Sequence, residues 1–487
     1  NQSFAIKLFQ VLNDRGLELS PSDIVKSYII GKYEQDDETG KQIFNNNWKN
    51  IEDLSKQYGF KIDDFVVFYE YYKLKSNPKR QVVDELRDII QRSDVYELVA
   101  ELHSFSESLK KVYESNNPVI LSLRYIPWKF YVMTALTSAY QVNYPEKDKL
   151  FKEIRRFFYI SLTAGCTLNQ IKQTSFKLIE SIVNGNSIDE IKEDLNRTII
   201  SRRMYAKVYD ALDNDVYNEK FLKPLMLSLE YEIREKTDKS FYSLDNTLHM
   251  DHILPRAYKQ NDEWNYIKDE EVLPEINGLG NMALLQDIKN EEALNCGFDR
   301  KIRIYKGQDE EGNNKSGITS FEFTRKIIEY YDLGNTTWNI DQILERKKYL
   351  ISKIEEMLEI SREDINLKLS EESTGGKTGK SKWLYKNVYY DNAKLVRALI
   401  QDYIVDNNIK KYDDIPENIR NFKMYSHELI IDEKNELLDN YSYTKVEANG
   451  MNIYVRSICQ KNDTNEFISV LKNYYDFDLE TVENSEE

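Results

Sequence analysis

The helical spacing of apolar residues is the sequence feature that most restricts the fold of this chain. Apolar residues recur at intervals of three and four over most of residues 1–235, as in the stretches 84–113 and 147–162. This is the period of a helix with one buried face. No proline occurs between Pro145 and Pro224, so this interval has room for long helices. Because the alternation typical of strands is scarce, we predict an all-helical domain over residues 1–235.

A clear helix start lies near the beginning of this region. Ser20 supplies an N-cap side chain, Pro21 suits the first helical position, and Asp23 adds a carboxylate to the first turn. The chain itself begins at Asn1, within a helical pattern. We therefore expect that further residues precede Asn1 in the intact protein.

The pattern changes after residue 235. Turn-forming residues and short apolar runs predict a second domain over residues 236–367. A helix over 341–358 is expected to end this domain, because its apolar residues share one helical face. These residues are Ile343, Leu344, Leu350, Ile351, Ile354 and Leu358.

The last part of the chain is predicted to form a separate domain. Residues 368–382 are rich in Gly, Ser, Thr and Lys and indicate a flexible linker. Residues 383–487 combine a helical segment at 393–405 with alternating segments such as 451–458, which is typical of a small α+β domain. The length of 487 residues agrees with three domains, and the fold class expected for the whole chain is mainly α.

The composition limits the partners of the protein. A formal net charge of −16 argues against a broad basic surface for nucleic acid but leaves room for a local basic groove. No apolar run approaches the roughly 18–20 residues that cross a bilayer, so we expect no membrane partner. The three cysteines, Cys166, Cys296 and Cys459, are too far apart for a disulfide framework or a metal cluster. This usage is typical of a reducing cytoplasm.

Two of the four histidines lie within four residues of each other. His249 and His252 flank Asp251, and the asparagines Asn281, Asn290 and Asn295 and then Lys301 follow. Phosphodiester hydrolysis needs a base to activate water and a cation to stabilise the developing charge. Histidine can be that base near neutral pH, and carboxylate and amide oxygens suit Mg²⁺. In an extended strand His252 points away from the other two side chains, so a bend would be needed to bring all three together.

The order of these residues resembles a known nuclease domain. The segment His-Met-Asp-His-Ile-Leu-Pro at 249–255, the segment Gly-Leu-Gly-Asn-Met-Ala-Leu-Leu at 278–285, and then Asn290, Asn295 and Lys301 resemble the HNH-type nuclease domain of GmrSD-type modification-dependent restriction enzymes. The resemblance covers about residues 249–305. It implies a ββα-metal fold with His252 as the general base.

The resemblance also implies the remaining site residues. Asp251 and Asn290 would hold the divalent cation, Mg²⁺ or Mn²⁺. His249 would be an additional metal ligand or a substrate contact, and Asn281 would hold the loop or orient the base. Lys301 would face the phosphate or stabilise the leaving group. Asn295 is a further candidate from the same pattern.

The start of the chain resembles a second element of the same family. Residues 4–30 are similar to the end of the ParB-like domain that precedes the nuclease, with matches that include Asn13, Arg15, Asp23 and Lys26. These four residues are candidates for a substrate or nucleotide site, although Asn13 and Arg15 could equally form only a helix end and turn. The Asp-Gly-Gln-Gln-Arg motif of the family and a Walker-type loop are both missing from the sequence. Nucleotide is therefore expected as a cofactor only of the intact protein.

These observations lead to a main hypothesis and two alternatives. The main hypothesis is a cytoplasmic, metal-dependent DNA endonuclease of a prokaryotic defence system that acts on modified or unmodified DNA. The first alternative is an inactive nucleic-acid-binding or regulatory protein that retains the HNH fold, and the second is a nuclease directed at RNA. A structural zinc site is disfavoured because no cysteine pair accompanies the histidines.

Overall fold

A computed structural model describes most of the chain. The described residues are 19–233, 242, 244, 247–366, 382–386, 388–390, 392–424, 427–435, 443–456, 461–477 and 479–482. Two predicted site residues, Asn13 and Arg15, and the predicted linker up to residue 381 lie outside them. The chain divides into two compact units, Asn1–Ser370 and Glu371–Glu487. The predicted boundary between residues 235 and 236 falls inside the first unit and stays a prediction.

The chain is mainly helical, as predicted. The helices up to residue 233 are α1 (Pro21–Ile30), α2 (Glu38–Tyr58), α3 (Ile62–Leu74), α4 (Val82–Arg92), α5 (Val95–Glu114), α6 (Pro118–Leu123), α7 (Lys129–Gln141), α8 (Lys147–Thr163), α9 (Leu168–Asn184), α10 (Ile188–Ser201), α11 (Met204–Asp213) and α12 (Leu222–Ile233). Among the residues described above, none of the helices combines the length and apolar composition that a membrane crossing requires.

Local sequence signals account for several of the helix ends. The predicted start of α1 is confirmed, because the Ser20 hydroxyl accepts a hydrogen bond from the Asp23 amide and Pro21 is the first helical residue. The helical spacing over 84–113 belongs to two helices rather than one, since the Asp94 carboxylate accepts hydrogen bonds from two amides at the start of α5. In the interval without proline, α9 ends at Gly185, whose φ of +73° glycine adopts without strain.

A two-stranded antiparallel hairpin follows the helices. Strand β1 (Leu248–His252) pairs with β2 (Met282–Gln286), so that Asp251 lies opposite Ala283 and His252 opposite Met282. The strands are separated by short helical turns and the helix α13 (Asp269–Val272). Helices α14 (Asp287–Ala293), α15 (Phe298–Lys306), α16 (Glu322–Asp332) and α17 (Ile340–Leu358) follow β2.

The hairpin buries both of its faces. Leu248, Met250, Met282 and Leu284 belong to the same hydrophobic core as the preceding helices. The residues of β2 on the opposite face, Ala283 and Leu285, belong to a second core together with α15 and α16. Because side chains alternate along a strand, an uninterrupted apolar run can serve both cores at once. The hairpin is therefore packed between the helical region and the helices that follow it.

Helix α17 supports the turn before β2. The predicted helix over 341–358 is present, and its predicted core residues are buried, except that Leu344 is 37% exposed. A Cβ atom at Gly280 would lie 1.9 Å from the carbonyl oxygen of Ile343. Only glycine therefore allows the turn before β2 to approach the backbone of α17 this closely.

The second unit contains short strands and helices. Its strands are β3 (Lys382–Tyr385), β4 (Val388–Tyr390), β5 (Lys423–Met424), β6 (His427–Glu428), β7 (Ile430–Ile431), β8 (Tyr443–Ala448), β9 (Met451–Arg456) and β10 (Glu480–Val482). Its helices are α18 (Asn392–Asp406), α19 (Glu417–Arg420) and α20 (Lys461–Leu471). The strands form two three-stranded sheets, in the orders β10-β3-β4 and β7-β9-β8, and one pair, β5-β6. Leu395, Leu399, Ile453 and Phe467 are among the residues of its hydrophobic core.

Candidate functional site

A pocket of about 840 Å³ lies beside the histidine-bearing strand β1. The loop between α11 and α12 forms one wall, and β1 and the region around the end of α14 form others. The residues that line it are Tyr125, Pro127, Tyr217, Asn218, Glu219, Lys220, Leu222, Lys223, Pro224, Leu244, His249, Met250, Asp251, His252, Pro255, Arg256, Asn290, Leu294 and Asn295. Five of the predicted site residues, His249, Asp251, His252, Asn290 and Asn295, are thus brought to one pocket.

His252 lies at the end of β1 and is 8% exposed. Its Nε2 atom is 2.9 Å from the Asn277 side-chain oxygen, and the Tyr217 ring packs on the imidazole with a centroid distance of 4.2 Å. Burial lowers the pKa of His252 below its ordinary value, and the hydrogen bond to Asn277 opposes this shift without reversing it. His252 is therefore a neutral imidazole at pH 7, the form that can accept a proton.

His249 is more exposed than His252. Its side chain is 33% exposed, and its Nε2 atom is 2.8 Å from a carboxylate oxygen of Asp287. Asp287 is the first residue of α14, and Asn290 follows it on the same helix. His249 and Asn290 thus line the same pocket from a strand and from the helix that follows the hairpin.

Asp251 takes part in a buried network. The Lys301 ammonium donates to both carboxylate oxygens of Asp251 at 2.9 Å and to the backbone oxygen of His252 at 2.6 Å. The Tyr305 hydroxyl donates to Asp251 Oδ2 at 2.5 Å. Burial, followed by the nearby Asp251, raises the pKa of Tyr305 well above its ordinary value, so the phenol stays protonated.

This network places Lys301 away from the pocket opening. Lys301 has no exposed surface, and the three protons of its ammonium are matched by the three acceptors on Asp251 and His252. Its predicted contact with a phosphate stays a prediction. In the present conformation that contact would require the amine to leave Asp251.

Asn281 is buried and joins the two ends of the hairpin. Its side-chain oxygen accepts from the Leu254 amide at 2.8 Å, and its side-chain nitrogen donates to the carbonyl oxygens of Leu254 and Ile276 at 2.9 and 2.8 Å. Trp338 Nε1 also donates to Asn281 Oδ1 at 3.3 Å. Asn281 therefore holds the chain that leaves β1 against the turn that enters β2. Asn277, rather than Asn281, contacts the ring of His252.

The predicted metal ligands do not form a ready cation site. Both oxygens of Asp251 already accept hydrogen bonds from Lys301. No group of three His, Cys, Asp or Glu residues that could hold a metal ion is found within the described part of the chain. Asp251 and Asn290 line the same pocket, where a cation would compete with Lys301 for the Asp251 carboxylate, and their role as metal ligands stays a prediction.

The candidates from the start of the chain make local contacts. Asp23 accepts a hydrogen bond from the Ser20 hydroxyl at 2.7 Å in the first turn of α1. Lys26 forms an ion pair with Glu52 at 3.3 Å and lies 5.9 Å from the centre of the Trp48 ring. Neither residue lines the pocket at β1. A substrate or nucleotide role for them stays a prediction.

Basic side chains lie around the pocket despite the acidic composition of the chain. Lys220 and Arg256 are exposed and line the pocket, and the Arg256 guanidinium lies 5.7 Å from the centre of the Tyr217 ring. Lys223 also lines it and donates to the backbone oxygen of Leu248 at 2.7 Å. Glu219 also lines the pocket, and the three cations supply groups of the kind that bind phosphate.

Several residues of the site were missed by sequence reasoning. Asn277 directly precedes the motif segment 278–285 and Asp287 follows it by two residues, so a longer motif segment could have included both. Tyr305 follows Lys301 by about one helical turn, so the two side chains share one face of a helix. This helical spacing could have identified Tyr305 as a neighbour of Lys301. Asp215 accepts a hydrogen bond from the Asn277 side chain at 2.8 Å. Asp215 and Tyr217 carry no local signal, because they belong to a loop within the helical region.

A family model matches part of the chain. The family model for the C-terminal domain of GmrSD restriction endonucleases matches residues 203–353. No curated protein and no solved structure matched the chain. The matched span starts within the predicted helical domain and includes the loop of Asp215 and Tyr217 as well as both strands and α14 to α16.

Proposed function

We propose that the protein cleaves DNA phosphodiester bonds at the pocket beside His252, because residues 203–353 match the family model for the C-terminal domain of GmrSD restriction endonucleases. The order β1, β2 and α14 supports an HNH-type ββα arrangement for this module. The proposed setting is a prokaryotic defence system in the cytoplasm. The observation that carries the proposal is a buried histidine, whose pKa is lowered by burial, in a pocket that Lys220 and Arg256 also line.

In the proposed reaction His252 is the general base. Its imidazole takes a proton from a water molecule while the water oxygen attacks phosphorus, and the bond from phosphorus to the leaving sugar oxygen breaks. The leaving oxygen then receives a proton from solvent. Lys220 and Arg256 are exposed and line the pocket, and they would bind the phosphate group that is cleaved. His249 is a second substrate contact, held in place by Asp287.

A divalent cation, Mg²⁺ or Mn²⁺, is part of the proposal because nucleases of this kind commonly use one. When bound, it would stabilise negative charge on the phosphate. Asn290 and Asp251 remain the proposed ligands. A cation bound by Asp251 would compete with Lys301, whose ammonium pairs with the same carboxylate.

The test compares two histidine variants in a DNA cleavage assay with added Mg²⁺ or Mn²⁺. His252→Ala is expected to lower the rate by roughly 100-fold or more, the usual contribution of a general base. His103→Ala is the matched control, because His103 lies on α5 and does not line the pocket. Cleavage by His252→Ala at the rate of the unchanged protein would refute the assignment. Omission of the metal with a chelator tests the cation requirement in the same assay.

A second function is favoured by the state of Asp251. Because its carboxylate is occupied by Lys301, the protein could bind nucleic acid without cutting it, as a regulatory protein would. DNA binding that is unaffected by Mn²⁺, together with no cleavage of either DNA or RNA, would support this alternative. Cleavage of RNA in preference to DNA would instead redirect the proposal to an RNA nuclease.

A further inference from the structure

The side chain of Asn277 connects His252 to a carboxylate of the preceding helical region. Asn277 Oδ1 lies 2.9 Å from His252 Nε2, and Asn277 Nδ2 lies 2.8 Å from Asp215 Oδ2. An ionised carboxylate can only accept hydrogen bonds. The Asn277 amide must therefore turn its NH₂ group toward Asp215 and its oxygen toward His252.

This orientation decides where the imidazole proton lies. An amide oxygen is an acceptor, so the hydrogen bond to it requires a proton on His252 Nε2. In a neutral imidazole the other nitrogen, Nδ1, is then without a proton and can accept one. Within the described residues, no protein hydrogen bond to His252 Nδ1 is present, although the ring lines the pocket.

The loop that carries Asp215 is itself held against this site. The Val216 amide donates to the backbone oxygen of Asn277 at 3.1 Å. The Tyr217 amide donates to Asp215 Oδ1 at 3.0 Å, and the Tyr217 ring packs on the imidazole. One short stretch thus fixes the backbone of Asn277, the Asp215 carboxylate and the plane of the His252 ring.

We propose that Asp215 and Asn277 are positioning residues that hold His252 in the tautomer with a proton on Nε2, so that Nδ1 is the atom that accepts the proton from water. The identity of His252 as the base rests on the proposed function. The tautomer itself does not, because it follows from the hydrogen bonds alone. A carboxylate from the helical region therefore sets the chemical state of a residue on the hairpin.

The experiment reads the tautomer directly. Protein labelled with ¹⁵N in its four histidines is examined by long-range ¹H–¹⁵N NMR without DNA, and His252→Ala identifies the His252 signals by their loss. The unchanged protein is expected to show a protonated Nε2 above the pH at which the ring is charged. In Asp215→Asn an amide can donate to Asn277 Oδ1, which allows the Asn277 NH₂ group to face Nε2. The proton is then expected to move to Nδ1 in a large fraction of molecules.

Two further variants keep the test decisive. Asn277→Ala removes the acceptor that faces Nε2 and is expected to place the proton on Nδ1 in a measurable fraction of molecules, even if Asp215→Asn folds poorly. Asp53→Asn is the matched control, because Asp53 is an exposed residue of α2 and the substitution removes the same charge. A proton on Nδ1 in the unchanged protein, or an unchanged tautomer in folded Asp215→Asn, would overturn the proposal.

Cleavage rates separate this proposal from the proposed function. Asp215→Asn is expected to slow cleavage by roughly 10- to 100-fold at unchanged DNA affinity, since a wrong tautomer removes the base and leaves binding intact. If the NMR result holds while His252→Ala still cleaves DNA, the positioning is correct and the assignment of His252 as the base is wrong. If Asp215→Asn moves the proton but cleaves at the full rate, Nδ1 is not the accepting atom and the proposal fails.

Discussion

Two buried carboxyl groups, one in the helical region and one in the hairpin, have opposite environments. Asp251, 6% exposed, accepts hydrogen bonds from Lys301 and Tyr305. Glu70 on α3 is 2% exposed, and its Oε1 atom has no hydrogen-bond partner among the described residues. Burial, with a smaller effect from the nearby Glu85, raises the pKa of Glu70 to about 7. Burial alone therefore does not determine how a carboxyl group behaves, because the groups that face it decide whether its charge is compensated.

The difference has a structural consequence. In the hairpin, the Lys301 ammonium donates to both the Asp251 carboxylate and the backbone oxygen of His252. These hydrogen bonds also hold the end of β1, which carries the proposed base. In the helical region, the carboxyl group of Glu70 changes its charge near neutral pH. At the site, the negative charge of Asp251 is balanced by Lys301. In the helical core, the carboxyl group of Glu70 opposes folding once it is ionised.

The largest effect is expected from Lys301→Met. Removal of the ammonium leaves the buried Asp251 carboxylate without its cation, which typically costs about 3–5 kcal/mol. Urea unfolding of the variant measures this loss. Lys306→Met is the matched control on the same helix, because Lys306 pairs with Asp332 at the surface and should lose at most about 1 kcal/mol. Equal losses of unfolding free energy in the two variants would show that the buried pair of Lys301 and Asp251 stabilises the protein no more than the surface pair.

The next effect is expected from Glu70→Gln and depends on pH. The folded protein holds the Glu70 proton more tightly than the unfolded chain, since the pKa rises from 4.5 to about 7 on folding. The unchanged protein therefore loses stability as the pH rises from about 4.5 through about 7, and the variant does not. At pH 8 the variant should be more stable by about 3 kcal/mol, and near pH 4.5 the difference should be close to zero.

Unfolding free energies at several pH values check this prediction. Glu107→Gln is the control, because Glu107 is an exposed residue of α5 and the substitution makes the same chemical change outside the core. A difference between Glu70→Gln and the unchanged protein that is constant from pH 4.5 to pH 8 would show that Glu70 does not titrate in this range.

The smallest effect is expected from Tyr305→Phe. This variant removes one hydrogen bond to Asp251 and leaves Lys301 in place, so the cost should be about 1–3 kcal/mol. Tyr209→Phe removes a comparable bond to Glu355, whose side chain is only partly buried, and should cost about 0.5–1.5 kcal/mol. Thermal and urea unfolding of both variants compares them. A larger loss for Tyr209→Phe would contradict the importance of burial at Asp251.

Much of the site could be predicted from neighbouring residues along the chain. His249, Asp251 and His252 were identified from their spacing, and Asn290 lies in the same pocket because the helix that follows β2 begins at the next residue. The mutual arrangement could not be predicted in the same way. Adjacent side chains of a strand point in opposite directions. Asp251 therefore contacts Lys301, whereas His252 contacts Asn277, and the tertiary structure determines both partners.

The sequence by itself determined the helical character of the chain, the start of α1 at Ser20 and the residue types of the site, because these depend on propensity and spacing over a few residues. Only the tertiary structure decided which side chains of the site form hydrogen bonds with each other. Asp215 and Asn277 are separated by 62 residues, and Lys301 and Asp251 by 50. Such contacts depend on how the hairpin packs between the helical region and α15, and no local pattern carries that information. The same packing decides which nitrogen of His252 bears a proton.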